Sequence, residues 1–351
     1  MGGLTRREAA VLGATAVAVV VAAGLHYGNA PALAAFAAAT VALAGLAWIV
    51  GLATEQVGER FGPAVTGVLQ STLGNLPEFF IVVFALRAGE VVVAQTSIVG
   101  SLFANALLVL GLVVIAGARS SGTNLMRFSP RLPNDTVTLL LLATFTIVVI
   151  GVSVASSDHA SHHVKAISIA GAIVLLVTYA AWVVPYLRSD EGAEPGVTPR
   201  VSLTVAVVLL AVGGVGAAFV SDWFVTALTP SIDKLNISQA FAGIVIVAIA
   251  GNAVENVAGI VLAAKGESDL AISVVKNSVA QVAAFLYPAL VLVSLFFATP
   301  LTFSLAPVYI GALLVSALAV WQISGDGEAA VFEGVALVGL YVVLAVLALY
   351  E

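Results

Sequence analysis

A carboxylate beside a proline and a glycine, in the middle of a long apolar run, constrains this chain more than any other feature. The stretch is Gly74-Asn75-Leu76-Pro77-Glu78, followed by apolar residues and then Ser97-Ile98-Val99-Gly100-Ser101-Leu102-Phe103-Ala104-Asn105. An ionised side chain in hydrocarbon costs kilocalories, and a helix broken there exposes carbonyls that lipid cannot satisfy. Such a segment persists only inside protein, against other polar groups. Gly251-Asn252-Ala253-Val254-Glu255 repeats the pattern 177 positions later, with the carboxylate again in fifth place. The same offset carries Gly89-Glu90 onto Gly266-Glu267 and Gly100-Ser101 onto Asn277-Ser278 without a gap. Two polar hairpins descended from one unit is the first inference.

The rest of the chain fits a membrane setting. Of 351 residues, 61% are hydrophobic and 9% charged, with a mean hydropathy of +1.13, which is more apolar surface than a water-soluble domain can bury. The fold class is an all-α polytopic membrane protein. Cysteine is absent, which excludes disulfides and thiolate metal sites. The net charge of −6 leaves nothing basic enough to hold nucleic acid.

At ~17–25 apolar residues per span, eleven helices are expected, at about 8–25, 31–53, 63–87, 91–117, 134–154, 164–187, 201–220, 237–264, 270–297, 301–323 and 331–350. The first follows Arg6 and Arg7, the layout of a signal peptide, but a retained span fits the count. The expected units are an N-terminal helix (1–28), a first five-helix repeat (29–187), a short acidic cytoplasmic linker (188–200) and a second five-helix repeat (201–351). With the N-terminus cytoplasmic, nine of the 13 Lys and Arg residues fall on that side, three on the other, and Lys276 within a span. The C-terminus is then external. An odd number of spans per repeat inverts the second copy, the architecture of secondary transporters whose site lies at the midplane. The lean loops suggest a cell membrane, with a vacuolar membrane as the alternative.

Glu78 lies 15 residues after Pro63, or ~22 Å along a helix, near the middle of a ~30 Å hydrocarbon layer. Glu255 has a similar depth, so an inverted pair brings two carboxylates together, enough charge for one divalent cation. Asn75, Ser101 and Asn105 in one copy, and Asn252, Ser278 and Gln281 in the other, supply oxygen donors. Carboxylates with hard oxygen donors suit Ca²⁺ better than Zn²⁺ or Cu²⁺. Burial and mutual repulsion favour protonation of the empty pair, so either a cation or protons fill the site. The empty, doubly ionised pair is the costly state, so exchange rather than leak is expected.

At these residues the chain resembles the cation/proton exchanger (CAX) family of the calcium/cation antiporter superfamily. The likeness runs from Gly51-Leu52-Ala53-Thr54-Glu55 through Gly100-Ser101-Leu102-Phe103-Ala104-Asn105-Ala106-Leu107-Leu108-Val109-Leu110-Gly111, and again from Gly251 to Pro288 with Asp269-Leu270 and Ser278-Val279-Ala280-Gln281. The resemblance implies an antiporter that expels Ca²⁺, or a similar cation, for H⁺. It implies Glu78 and Glu255 as primary ligands and proton carriers, with Asn75, Asn252, Ser101, Asn105, Ser278 and Gln281 supporting them. Three positions depart from the family pattern. Asn256 stands where His is frequent, Asn277-Ser278 replaces Gly-Ser, and Lys276 occupies a usually apolar place. Two residues from Ser278 is about 200° around a helix, so Lys276 is expected to point away from the site, with a modulating role as the alternative.

Thr54-Glu55 and Ser221-Asp222 are read as matching points near the end of the helix before each motif, with Glu55 and Asp222 as vestibule relays or interfacial charges. Arg87, Lys265, Glu90 and Glu267 are expected as interfacial anchors. Asp158, His159, His162 and His163 form an external cluster; a metal or pH-sensing site is conceivable there, but a solvated polar turn is the simpler reading. No catalytic residue and no resident cofactor is expected, and motifs such as His-Glu-x-x-His are missing. The expected partners are cations, protons and the bilayer. A Na⁺/H⁺ or Na⁺-coupled exchanger is the alternative within the class, and a channel or intramembrane enzyme lies outside it.

Overall fold

The computed structural model describes residues 3–58, 60, 68–69, 72–129, 131–188 and 200–351, with the side chains at 58, 131–134, 186 and 253–256 outside that description. The acidic residues of the expected linker lie outside the described residues. In chain order the helices are α1 (Arg6–Tyr27), α2 (Ala32–Gly58), α3 (Leu76–Arg87) and α4 (Val91–Ser120). Then come α5 (Arg131–Ser156), α6 (Val164–Arg188), α7 (Leu203–Leu235), α8 (Gln239–Gly251) and α9 (Ala253–Ala264). Last are α10 (Ser268–Phe296), α11 (Pro307–Ser324) and α12 (Val331–Leu349). Among the described residues nine helices are long and apolar enough to cross a membrane. The two expected spans that carry the Gly-Asn motif are instead interrupted, at Asn75 and at Asn252.

The offset of 177 found in the sequence is also an offset of backbone geometry. α3 and α9 are each 12 residues long and begin immediately after the motif asparagine. The hairpin tips Gly89 and Gly266 have φ of 82° and 84°, left-handed values that only glycine adopts at little cost. α2 and α7 end at equivalent residues, Gly58 and Leu235. These two helices also run antiparallel against each other. A Cβ on Gly213 would lie 2.9 Å from Val50, and one on Gly216 would lie 2.8 Å from Leu46. Further along, Phe224 meets Phe36 with ring centroids 4.9 Å apart. Rising numbers in α7 thus meet falling numbers in α2, so the two copies are opposed in direction where they touch.

Small residues let the copies approach still more closely beside the site. A Cβ on Gly100 of α4 would fall 2.5 Å from the Ile244 Cα of α8, and one on Gly243 would fall 2.9 Å from the Ser97 backbone nitrogen. Close backbone contact of this kind is how helices gain dispersion contacts where lipid supplies no hydrophobic drive. Three π-helical segments flank the crossing, at Ala104–Val109 in α4, Ala242–Val247 in α8 and Val282–Leu286 in α10. The first and third coincide under the 177 offset, so the widened turn belongs to the repeated unit. π turns are rare and concentrate at functional sites.

Several boundaries differ from the sequence expectation. α7 continues to Leu235 rather than stopping near 220, because Ser221 is buried against protein and polar residues inside a packed helix need not end it. At 1.5 Å per residue it is about 50 Å long, more than the hydrocarbon thickness. Residues 301–306, expected as the start of a span, are not helical. They fold inward with Leu301, Phe303 and Leu305 buried, held by Gln95 Nε2 donating to the Thr302 and Ser304 carbonyls at 3.1 and 2.6 Å. A two-stranded ribbon, unforeseen in the sequence, pairs β1 (Leu125–Arg127) antiparallel with β2 (Glu328–Ala330), in the register Met126 to Ala329.

The glycine crossing makes a stability prediction. Gly100→Ala is expected to destabilise the protein by about 1–3 kcal/mol, because the backbone of α8 cannot yield to the added methyl. Gly339→Ala, where a Cβ meets nothing within 4 Å, is expected to leave stability unchanged or slightly raised. Thermal unfolding of both variants in detergent checks the contrast.

Candidate functional site

The site begins at the breaks. Asn75 (φ −81°, ψ 4°) and Asn252 (φ −107°, ψ 13°) sit in the bridge region, where the helix stops and restarts. Pro77 occupies the first turn of α3, where its missing N–H costs nothing. Glu78 follows in that same turn, at a helix N-terminus whose dipole favours negative charge. The break therefore creates, inside an apolar bundle, one of the few environments that stabilise a carboxylate there.

Glu78 is 1% exposed, and a Cβ on Gly251 would lie 3.7 Å from its own Cβ. The stem of the first copy's glutamate thus packs against the second copy's motif glycine. The backbone of Glu255 occupies the matching first turn of α9, while its side chain lies outside the described residues. Ser221 Oγ of α7 donates to the Pro77 carbonyl at 3.4 Å, capturing an oxygen beside the break.

Four of the polar groups expected at the site meet across the copies. Asn252 Nδ2 donates to Ser101 Oγ at 2.8 Å and to the Ala248 carbonyl at 2.9 Å. Asn105 Nδ2 donates to Ser278 Oγ at 3.0 Å and, more weakly, to Asn252 Oδ1 at 3.5 Å. All four side chains are buried. In this arrangement Asn252 has both its amide hydrogens and its carbonyl oxygen engaged, which makes it a brace between α4 and α8, with α10 joined through Asn105. Asn75 is also buried, at its break. Gln281, buried in α10, lies beside Tyr179 of α6, which also adjoins Thr72. Tyr179 and Thr72 were not anticipated, since no spacing rule in the sequence brings helix α6 to that point.

The other candidates lie elsewhere. Lys276 is buried, and its Nζ donates to Ser324 Oγ at 2.6 Å, toward α11 rather than toward the network. Glu55 is exposed, three residues before the end of α2, while Asp222 is half-buried inside α7, thirteen residues before its end. The offset carries Asp222 onto Gly45 and Glu55 onto Ile232, so the two acids are not equivalent points, contrary to the expectation. That expectation failed because α7 is longer than its apolar run suggested.

The histidines of the external cluster are exposed on a 3₁₀ turn, with the His159 ring 6.1 and 5.9 Å from those of His162 and His163. Among the described residues no group of three or more such side chains could hold a metal ion. Asp158 caps this turn. The Ser153 hydroxyl donates to its carboxylate and holds it below the usual range against the opposing effect of desolvation, with a lesser contribution from the Ser161 backbone N–H.

Two interrupted helices whose breaks, at Asn75 and Asn252, adjoin between antiparallel copies are the architecture of secondary transporters. The chain belongs to the sodium/calcium exchanger protein family, which matches it over residues 31–186 and 205–350. A vacuolar calcium ion transporter of Schizosaccharomyces pombe is 31% identical over 319 residues, spanning 87% of this chain and 76% of that protein. The Ca²⁺/H⁺ antiporter ChaA of Bacillus subtilis is 29% identical over 327 residues, covering 90% and 92% of the two chains. Among solved structures, native YfkE superposes with a TM-score of 0.81 at 28% identity, over 96% of this chain and 98% of that one. The H⁺/Ca²⁺ exchanger CAX gives a TM-score of 0.79 at 16% identity, over 97% of this chain and 89% of that one, a likeness of fold alone.

Two predictions follow from this geometry. Asn252→Ala strands buried partners on Ser101 and Asn105 and is expected to cost about 1–3 kcal/mol of stability, read from unfolding in detergent. Ser153→Ala is expected to return the Asp158 carboxyl toward the ordinary ~3.9. A depressed carboxylate adds stability above its unfolded pKa, and that stability disappears as pH falls through the folded value. The variant should therefore lose the contribution of Asp158, with a carboxyl titration by ¹³C NMR reporting the shift directly.

Proposed function

We infer that the chain is a secondary active antiporter that exchanges Ca²⁺, or a similar cation, for H⁺ by alternating access. The observation that carries this reading is Glu78, buried at the break of one copy and resting on the motif glycine of the other. It is supported by relatives named as Ca²⁺/H⁺ antiporters over about nine-tenths of the chain.

In this reading Glu78 and Glu255 bind either the cation or protons, and their shared negative charge makes the empty site the state least able to cross. Asn75, Ser101, Asn105, Ser278 and Gln281 complete the oxygen shell, while Asn252 holds Ser101 and Asn105 in place. Ca²⁺ accepts irregular shells of 6–8 oxygens, which suits a site assembled from carboxylates, amides and hydroxyls on several helices. The architecture we propose is an N-terminal helix (1–28) and two inverted five-helix units, 29–187 and 201–351, joined by the linker 188–200. The antiparallel packing of α2 on α7 supports the inversion. The N-terminus is placed in the cytoplasm and the C-terminus outside, in a multi-pass membrane protein of the cell membrane. Cations and protons are substrates rather than cofactors, and no catalytic role is assigned.

The test is ⁴⁵Ca²⁺ uptake into proteoliposomes driven by an imposed pH gradient. Wild type is expected to accumulate Ca²⁺, and Glu78→Gln and Glu255→Gln to fall at least tenfold, since each removes a charge made for the ion. Flux of Na⁺ in place of Ca²⁺ would instead support the Na⁺/H⁺ alternative.

A further inference from the structure

Lys276 is the one lysine that the described structure buries in the core, 1% exposed and among its largest fully buried side chains. A buried intramembrane charge is expensive and calls for a named partner. Its partner is Ser324 Oγ, 2.6 Å away, and that hydroxyl in turn donates to the Val320 carbonyl at 2.5 Å. Ser324 is the last residue of α11, where terminal carbonyls lack helical partners and the dipole is negative. An ammonium is well placed there.

The repeat offers an internal comparison. The 177 offset carries Lys276 onto Val99 and Ser324 onto Ile147, both buried in the apolar core. Relative to the first copy, both members of the pair are polar in the second. A stray lysine would leave the position facing it apolar. A matched replacement is what a specific contact requires.

The same end of α10 is tied at a second point. Asp269 Oδ1 accepts the Ser129 backbone N–H at 2.6 Å, just beyond the β1 strand that pairs with β2. Asp269 and Lys276 are seven residues apart, two helical turns, and so share a face. Ser278 is about 200° around from Lys276, and it accepts from Asn105. One side of α10 is thus anchored to α11 and the ribbon while the other presents Ser278 to the cross-copy network.

We propose that Lys276 is a positioning residue: by bonding Ser324, its ammonium fixes the rotation of α10 and with it the approach of Ser278 to Asn105. Its meaning for transport rests on the antiport reading above, whereas its geometry can be tested without transport. The chain has no cysteine, so Asn105→Cys with Ser278→Cys introduces the sole thiol pair. The rate of disulfide formation in membranes treated with copper-phenanthroline then reads the α4–α10 approach.

Ser324→Ala and Lys276→Met are each expected to change that rate roughly threefold, the population shift an interhelical hydrogen bond in a membrane protein supports. Ser324→Thr, which keeps the hydroxyl, should match the parent. In the cysteine-free background, Ser324→Ala should also raise the half-saturating Ca²⁺ concentration while leaving the maximal rate intact. An unchanged cross-linking rate in Ser324→Ala overturns the proposal, whether or not Lys276→Met folds, and so does a Ser324→Thr rate that matches Ser324→Ala. Absence of Ca²⁺ flux in wild type would count against antiport and leave the cross-linking result standing.

Discussion

Everything in this molecule depends on keeping the carboxylate of Glu78 buried within a bundle of apolar helices. The Born cost of an ion in hydrocarbon is far larger than any one hydrogen bond repays. The chain meets it by breaking a helix at Asn75, so that Glu78 falls in the first turn of α3, with the positive dipole end beside it. The break itself would be ruinous in lipid, since it frees carbonyls as well as donors. It is tolerated because α7 closes on it, with Ser221 donating to the Pro77 carbonyl, and because the second copy brings a residue without a side chain, Gly251, against the Glu78 β-carbon.

That solution requires both copies at once. The hydrogen bonds that organise the site join residues 147 to 173 positions apart, Asn105 to Asn252 and to Ser278 and Asn252 to Ser101. Neither Asn105 nor Asn252 completes its bonding within its own copy. The close backbone crossing of Gly100 on Ile244 sets the distance over which these side chains must reach, and the π turns that follow on α4 and α10 widen the helix where Asn105 and Gln281 project. Packing and polar satisfaction are here one constraint, since any side chain at Gly100 would separate the helices and lengthen each bond of the network.

Much of this could be read from the residues because the repeat is written in glycines, asparagines and acids that have few other uses in a membrane. The polar hairpins and the gathering of Asn252, Ser101, Asn105 and Ser278 fall where the repeated pattern puts them. The 200° argument also turned Lys276 to the correct side. What escaped was set by tertiary contact. α7 runs through Ser221 and Asp222 because its neighbours shelter them, so a hydropathy boundary misplaced Asp222 relative to Glu55. The π segments have no residue signature, being a shift of backbone register that crossing helices stabilise. The β1–β2 ribbon joins two loops about 200 residues apart, each only three residues long in strand form, which is too short for alternation to show.

The departures from symmetry carry as much physics as the symmetry. An inverted repeat can exchange the conformations of its halves, and the two resulting states have equal energy only if equivalent residues make equivalent contacts. Here they do not. Glu90, at the tip after α3, accepts from Thr229 Oγ1 at 3.0 Å and from Gln239 Nε2 at 3.1 Å, joining the first hairpin to α7 and α8. Its equivalent, Glu267, is exposed, and the position matching Thr229 is Leu52, which has no donor. Asn105 corresponds to Val282, and Gly100 to Asn277, so the network leans on α4 for amides and on α10 for a hydroxyl. Unequal contacts at equivalent positions give the two states unequal energies, which sets their resting populations, and ions that bind one state better than the other shift that balance.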